Sequence, residues 1–239
     1  MSWTDKKAIK QFCKLRDEFN IDRYVETGTH KGIGAAVHAA NFSEVLTIEN
    51  DQKWFDISHE RLAMYDNVEQ KLCDSQVVLK NLANEYKTMP GNEYTFFYLD
   101  AHFYDPQALP EDRFVVLKEL RALAGHHRCV IAIHDFDCNG LGHIVYDGQS
   151  LNFNLLKEWL YAVNPNFNYY CNTRELCDIM TVQRITDGEV PNLNPDPEVL
   201  DAMQYVWSLP EKTYRGILYA VPKKLDLNVF ELVEFSDTL

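Results

Sequence analysis

Between residues 22 and 137 the chain repeats one order five times: a strand-like run that closes on an acidic or polar residue, then a stretch with helical spacing. The runs are "DRYVE" (22–26), "EVLTIE" (44–49), "VEQKLCDS" (68–75), "EYTFFYLDAHF" (93–103) and "RCVIAIHDFD" (128–137). The last two are almost wholly apolar until their acids. Near-continuous apolar strands are what a parallel sheet covered on both faces requires, because neither face meets water. The intervening segments 32–40, 51–65, 77–86 and 113–124 have the length of crossover helices. An earlier helix is predicted over 4–19, where Ile9, Phe12, Leu15 and Phe19 recur at helical spacing and Thr4 stands as a cap. The pattern predicts an α/β fold: a doubly wound, mostly parallel sheet with helices on both faces.

In such sheets ligands lie beyond the carboxyl ends of the strands. Glu26, Glu49, Asp74, Asp100, His134 and Asp135 all fall at or near those ends. Five acids and a histidine at one edge are a poor choice for stability alone, and together they outline a cleft. Past Asp137 the signal weakens. Residues 138–150 read as a loop with three glycines and 151–163 as a helix. Segments 166–171 and 177–185 are each candidate strands. The proline-rich 187–197 is loop, with Asp196 and Pro197 opening a helix. "RGILYAVP" (215–222) is a final strand, with either candidate as its neighbour.

The 239 residues suit one large domain. Lys and Arg total 23 against 36 Asp and Glu, a formal net charge of −13. Such a surface repels a phosphate backbone, so nucleic acid is not the expected partner, although a local basic groove stays open. No apolar run approaches the ~20 residues of a membrane span. "MSWTDKKAIKQFCKLRDEF" lacks the apolar core of a secretory signal. The six cysteines are scattered without CxxC pairs and read as reduced thiols, so a cytoplasmic protein is expected.

Three of the chain's ten glycines, Gly28, Gly32 and Gly34, fall within "YVETGTHKGIGAAVHAA" (24–40), at the junction of the first strand and its helix. A strand, a glycine loop and a helix start form a nucleotide cradle. The spacing is E-x-G-x-x-x-G, not the G-x-G-x-x-G of dinucleotide binders. A pyrophosphate would not tolerate Glu26. A sulfonium and an ammonium would welcome it. Glu49, 21 residues after Gly28, is placed to accept both hydroxyls of a ribose, and Asp74-Ser75 to meet an adenine amino group.

"VETGTHKGIG", "IEND", "CDS" and "YLDAH", in that order, resemble class I S-adenosylmethionine (SAM)-dependent methyltransferases. The resemblance covers roughly residues 22–165, and its flavour is that of small-molecule or sugar O-methyltransferases. It implies a seven-stranded sheet with an antiparallel last strand, and a single methyltransferase-like domain over 1–239. It also implies a SAM site formed by Glu26, Thr27, Gly28, Gly32, Glu49, Asp74, Ser75 and Asp100. "YLDAHFYD" (98–105) resembles the fourth-strand segment of metal-binding members. There Asp100 and Asp135 would match two Mg²⁺ ligands, but Phe136 replaces the expected Asn, leaving Asp137 or water as the third. Without a metal, His102 or His134 beside the aspartates would take the acceptor's proton, or merely hydrogen-bond a loop.

Tyr146, Asp147 and Gln149, in the glycine-rich connector, would touch a polar acceptor under a lid. The 186–214 segment, with Tyr205 and Trp207, reads as an insertion supplying acceptor specificity, a homodimer contact or core. The activity expected is O-methylation of a small or carbohydrate-like acceptor. The alternative is a binding or structural component that keeps the fold without turnover. An NAD-dependent oxidoreductase is disfavoured by the glycine spacing and Glu26, and a serine hydrolase by the absence of G-x-S-x-G.

Overall fold

The computed structural model describes residues 6–88, 91, 93–101, 105–109, 112–138, 145–146, 148–172, 216–230 and 232–235. In chain order the elements are α1 (Lys6–Phe19), β1 (Arg23–Thr27), α2 (Ile33–Ala39), β2 (Glu44–Glu49), α3 (Gln52–Leu62), β3 (Val68–Leu72), α4 (Ser75–Tyr86), β4 (Thr95–Leu99), α5 (Val115–Ala122) and β5 (Cys129–His134). Then follow β6 (Val145–Tyr146), β7 (Gln149–Ser150), α6 (Phe153–Val163), β8 (Asn168–Asn172), β9 (Ile217–Val221) and β10 (Leu232–Glu234).

Strand order is β10-β8-β9-β5-β4-β1-β2-β3. The β3, β2, β1, β4 and β5 ladder is parallel throughout, with Arg23 opposite both Glu44 and Thr95. β9 runs antiparallel to β5 and β8, so the last of the predicted strands is inserted against the grain. The main sheet has eight strands, not seven. β10 pairs antiparallel with β8 at the edge, and three residues are too few to leave a period of two in the sequence. The glycine-rich connector, read as loop, holds the two-stranded ribbon of β6 and β7. Of the two candidate neighbours of β9, residues 168–172 take the place; 177–185, the 186–214 segment with its dimer contact, and the 196–197 cap lie outside the described residues.

The strands are buried because each face is covered. One layer packs Phe12 and Leu15 of α1, Ala35 and Ala36 of α2 and Leu62 of α3 against Tyr24, Phe96, Tyr98 and Tyr219. The other packs Leu79 of α4, Leu117 and Leu120 of α5 and Leu156 and Leu160 of α6 against Val25, Phe97 and Ile131. Alternation along one strand sends Phe96 and Tyr98 one way and Phe97 the other. Caps set the helix starts. Asp51 accepts from the amides of Lys53 and Trp54, and Asp74 from Gln76 N. β3 therefore stops at Leu72, and Asp74 begins α4 rather than ending the strand. Among the described residues no helix is long and apolar enough to cross a membrane.

Candidate functional site

β1 has β2 on one side and β4 on the other, so the winding of the sheet reverses between β1 and β4. Ligands in open α/β sheets bind at that reversal, beyond the carboxyl ends. A cavity of about 540 Å³ opens there. That volume lies in the range of small-molecule sites. Its walls take Glu26 and Gly28 from the β1 end, Glu49 from β2, Asp74 and Ser75 from the β3–α4 corner, and Asp100 from β4. Six of the predicted cofactor residues are thus brought together. Thr27 and Gly32 do not line the cavity. The Thr27 hydroxyl accepts from Asp100 N at 3.2 Å, tying two strand tips together. Gly32 starts α2 with φ 73°, and a Cβ there would lie 2.9 Å from Ser58 Cβ.

Gly28 carries the close approach. Its φ is +81°, and a Cβ would come within 2.9 Å of the Asp100 carbonyl. Its amide donates to Ile48 O at 2.9 Å. At Gly28 the loop therefore passes the tips of β1, β2 and β4 with no side chain between backbone and cavity.

The two glutamates differ. Glu49 Oε2 accepts from His30 N at 2.8 Å, and its Oε1 accepts from Asn50 N and Asp51 N, both at 3.0 Å. Three amides fix the carboxylate's orientation while leaving a lone pair on Oε2. Glu26 is buried (4% exposed), and its only hydrogen bond among the described residues is a long one, 3.4 Å from the Tyr24 hydroxyl. Both its oxygens lie within about van der Waals reach of Gly34, where a Cβ would sit 3.0 and 3.1 Å from them. Burial, with the charge of Asp100 adding, lifts its carboxyl well above the usual range. Removing water from the carboxylate is the main physical reason.

Asp100 is held from behind. His134 Nδ1 lies 2.7 Å from Asp100 Oδ1 and 3.6 Å from Asp135 Oδ2. Burial lowers the His134 pKa, with the Asp100 charge opposing. A neutral imidazole then donates Nδ1–H to Asp100. His134 does not itself line the cavity. Asp135 turns the chain after β5 with φ 56°. Asp137 is engaged elsewhere, accepting from Ser150 Oγ at 2.6 Å.

The expected Mg²⁺ set of Asp100, Asp135 and Asp137 does not converge. Among the described residues no three His, Cys, Asp or Glu side chains are placed to hold a metal. The left-handed turn at Asp135 and the Ser150 bond explain why, and the donors present do not fit the ion. His102 and Asp147 lie outside the described residues, as does the side chain of Tyr146. Gln149 is exposed on the ribbon.

Sequence reasoning missed His30 and Trp54. Both line the cavity, with ring centroids 4.0 Å apart. His30 has φ 49°, which aims its amide at Glu49. Missed too was Glu119, whose Oε1 accepts from Ser75 Oγ at 2.6 Å. A charged residue on the apolar stripe of "VVLKELRA" was the available signal.

No family model matches the chain, and no curated protein matches it. Among solved structures it is similar to an rRNA methylase from Streptococcus thermophilus, at 13% identity and TM-score 0.45 over 91% of this chain and 98% of that one. It is similar also to the plantazolicin methyltransferase BamL in complex with a triazolic desmethylPZN analog and SAH (13%, TM-score 0.47, 93% and 85%). A SAM-dependent methyltransferase from Archaeoglobus fulgidus shows 13% identity and TM-score 0.43 over 90% of this chain and 93% of that one. Likenesses this distant leave the chemistry to be judged on the chain's own residues.

Proposed function

We propose that the chain is a SAM-dependent methyltransferase, O-directed towards a small or carbohydrate-like acceptor. The observation that carries this reading is the pairing of a buried Glu26, with no cation hydrogen-bonded to it among the described residues, with an amide-cradled Glu49 across one nucleoside-sized cavity. A cationic amino-acid end beside Glu26 would supply the charge that burial withholds. Glu49 would accept from ribose hydroxyls. Asp74 and Ser75 would meet the adenine. A dinucleotide would bring its phosphates against three carboxylates, which is why the donor fits and NAD does not.

The donor, when bound, supplies a methyl group already activated on a sulfonium. The residues of the chain then need to align and deprotonate. Asp100, at the cavity wall and held on Oδ1 by His134, accepts the proton that an acceptor hydroxyl loses as its oxygen bonds to carbon. His134 orients that carboxylate, and His102 is the second base of this reading. The net charge of −13 disfavours a nucleic-acid acceptor. The 186–214 segment is the candidate for acceptor choice.

Calorimetry with S-adenosylhomocysteine (SAH) tests the donor site, and transfer of labelled methyl to a panel of hydroxylated small molecules tests turnover. One saturable site and label on an acceptor are expected. Folded protein that does not bind SAH overturns the reading. Binding without transfer to any acceptor favours the component without turnover.

A further inference from the structure

The nucleobase end of the cavity is polarised from behind. Asp74 and Ser75 both line it. Asp74 accepts from Gln76 N at 3.1 Å and from Gln76 Nε2 at 2.9 Å, and an ionised carboxylate only accepts. A serine hydroxyl ordinarily donates as well as accepts. Here its hydrogen is committed, because Ser75 Oγ donates to Glu119 Oε1 at 2.6 Å. Glu119 is 0% exposed, on the same inward face of α5 as Val116, Leu117 and Leu120. A carboxyl at such a position is costly to bury and gives no packing advantage over leucine. With its proton held inward, Ser75 offers the cavity lone pairs only.

We propose that Glu119 is a specificity-determining positioning residue: by holding the Ser75 proton it leaves the Asp74 and Ser75 side chains as acceptors only, so that the cavity takes a 6-aminopurine in preference to a 6-oxopurine. The inference rests on the donor site proposed above. An exocyclic amino group donates towards the corner. An exocyclic carbonyl placed there by the same ribose contact sets lone pair against lone pair and leaves a buried acceptor unpaired. The penalty for one unpaired buried group corresponds to about tenfold or more in affinity.

The experiment is calorimetry of SAH and of its 6-oxo counterpart, S-inosylhomocysteine, on the wild-type chain, E119M and S75A/E119M. Wild type is expected to prefer SAH by at least about tenfold. E119M frees the hydroxyl to donate, so the preference falls about tenfold, mostly through tighter binding of the 6-oxo ligand. A purely structural role would weaken both ligands alike, and an unchanged ratio in folded E119M overturns the inference. The double variant removes both members of the Ser75–Glu119 pair, so it stays informative if E119M does not fold. Its ratio is expected to be well below wild type, and a wild-type ratio there also overturns the inference. Wild type that binds both ligands equally sinks this inference alone. Wild type that binds neither sinks the donor site itself.

Discussion

Glu26 and Glu49 end neighbouring strands, carry the same side chain and face the same cavity, yet the fold treats them in opposite ways. Glu49 receives three backbone amides, His30 N from the loop after β1 and Asn50 N and Asp51 N from the turn after β2. Glu26 receives one long contact from Tyr24 and is otherwise enclosed. The first is a finished acceptor, which the proposed function gives to ribose hydroxyls. The second, in that proposal, is half of an ion pair whose other half is the donor's ammonium. Burial works in opposite senses at the two sites because hydrogen bonds replace water at one and not at the other.

The largest effect expected from breaking this contrast is at Glu49. Glu49→Ala orphans the amides of His30, Asn50 and Asp51 and removes the ribose acceptor. SAH affinity should fall about 100-fold with a lowered melting temperature, read by calorimetry and thermal unfolding. An unchanged affinity would show that the donor lies elsewhere. Glu26→Gln should separate the two quantities. SAH affinity is expected to fall about tenfold, while the free protein melts no lower than wild type, since an amide is cheaper to bury than a carboxyl that can ionise.

The same contrast has a pH signature. Folding raises the Glu26 pKa, so its contribution to the stability of the free protein is present below the unfolded value and is lost as pH rises through the folded one. Cation binding needs the ionised form, so SAH should bind more weakly as pH falls, and Glu26→Gln should flatten that dependence. Two other buried groups act with the opposite sign. His38, its ring tilted against Tyr24 at 4.4 Å and both ring nitrogens without a hydrogen-bond partner among the described residues, is lowered to about 3 by burial, and His126 to about 4 by burial and the Arg128 charge. Their stability is complete above the unfolded value and is lost as pH falls from there towards 4 and 3. His38→Phe should therefore gain about 2 kcal/mol relative to wild type on going from about pH 7.5 to about pH 5 in urea titrations. Equal pH slopes for the two proteins would mean that His38 finds a partner in solution.

The smallest effect expected is at Asp51, which caps α3 and whose amide helps hold Glu49. Asp51→Ala should cost about 1 kcal/mol of stability and only a few-fold in SAH affinity. A loss as large as that of Glu49→Ala would mean that the cradle depends on the cap.

Much of this was legible. Acids at the ends of predicted parallel strands put Glu26, Glu49, Asp74 and Asp100 at one edge, because a parallel sheet sends every strand's carboxyl end the same way. Errors came where one residue decides direction. Thr27 follows Glu26, and strand alternation turns its hydroxyl to the Asp100 amide instead of the cavity. Asp137 stands two residues beyond a left-handed Asp135, and nothing in "HDFD" announces that turn. β10 was too short to see, and β3 was drawn too long because a helix cap resembles a strand-end acid.

The sequence by itself determined the layered α/β plan, the cavity's edge and the acids gathered there, since these follow from periodicity and from the common direction of parallel strands. Only the tertiary structure decided which of those acids is satisfied, which is left with one long hydrogen bond, which strand tips are tied together and where a serine proton points. Glu49, Thr27 and Ser75 meet partners 19, 73 and 44 residues away respectively, and distant partners meet only once the strand order is set. Hydrogen bonds are short and directional, so residue type and local spacing cannot choose between them.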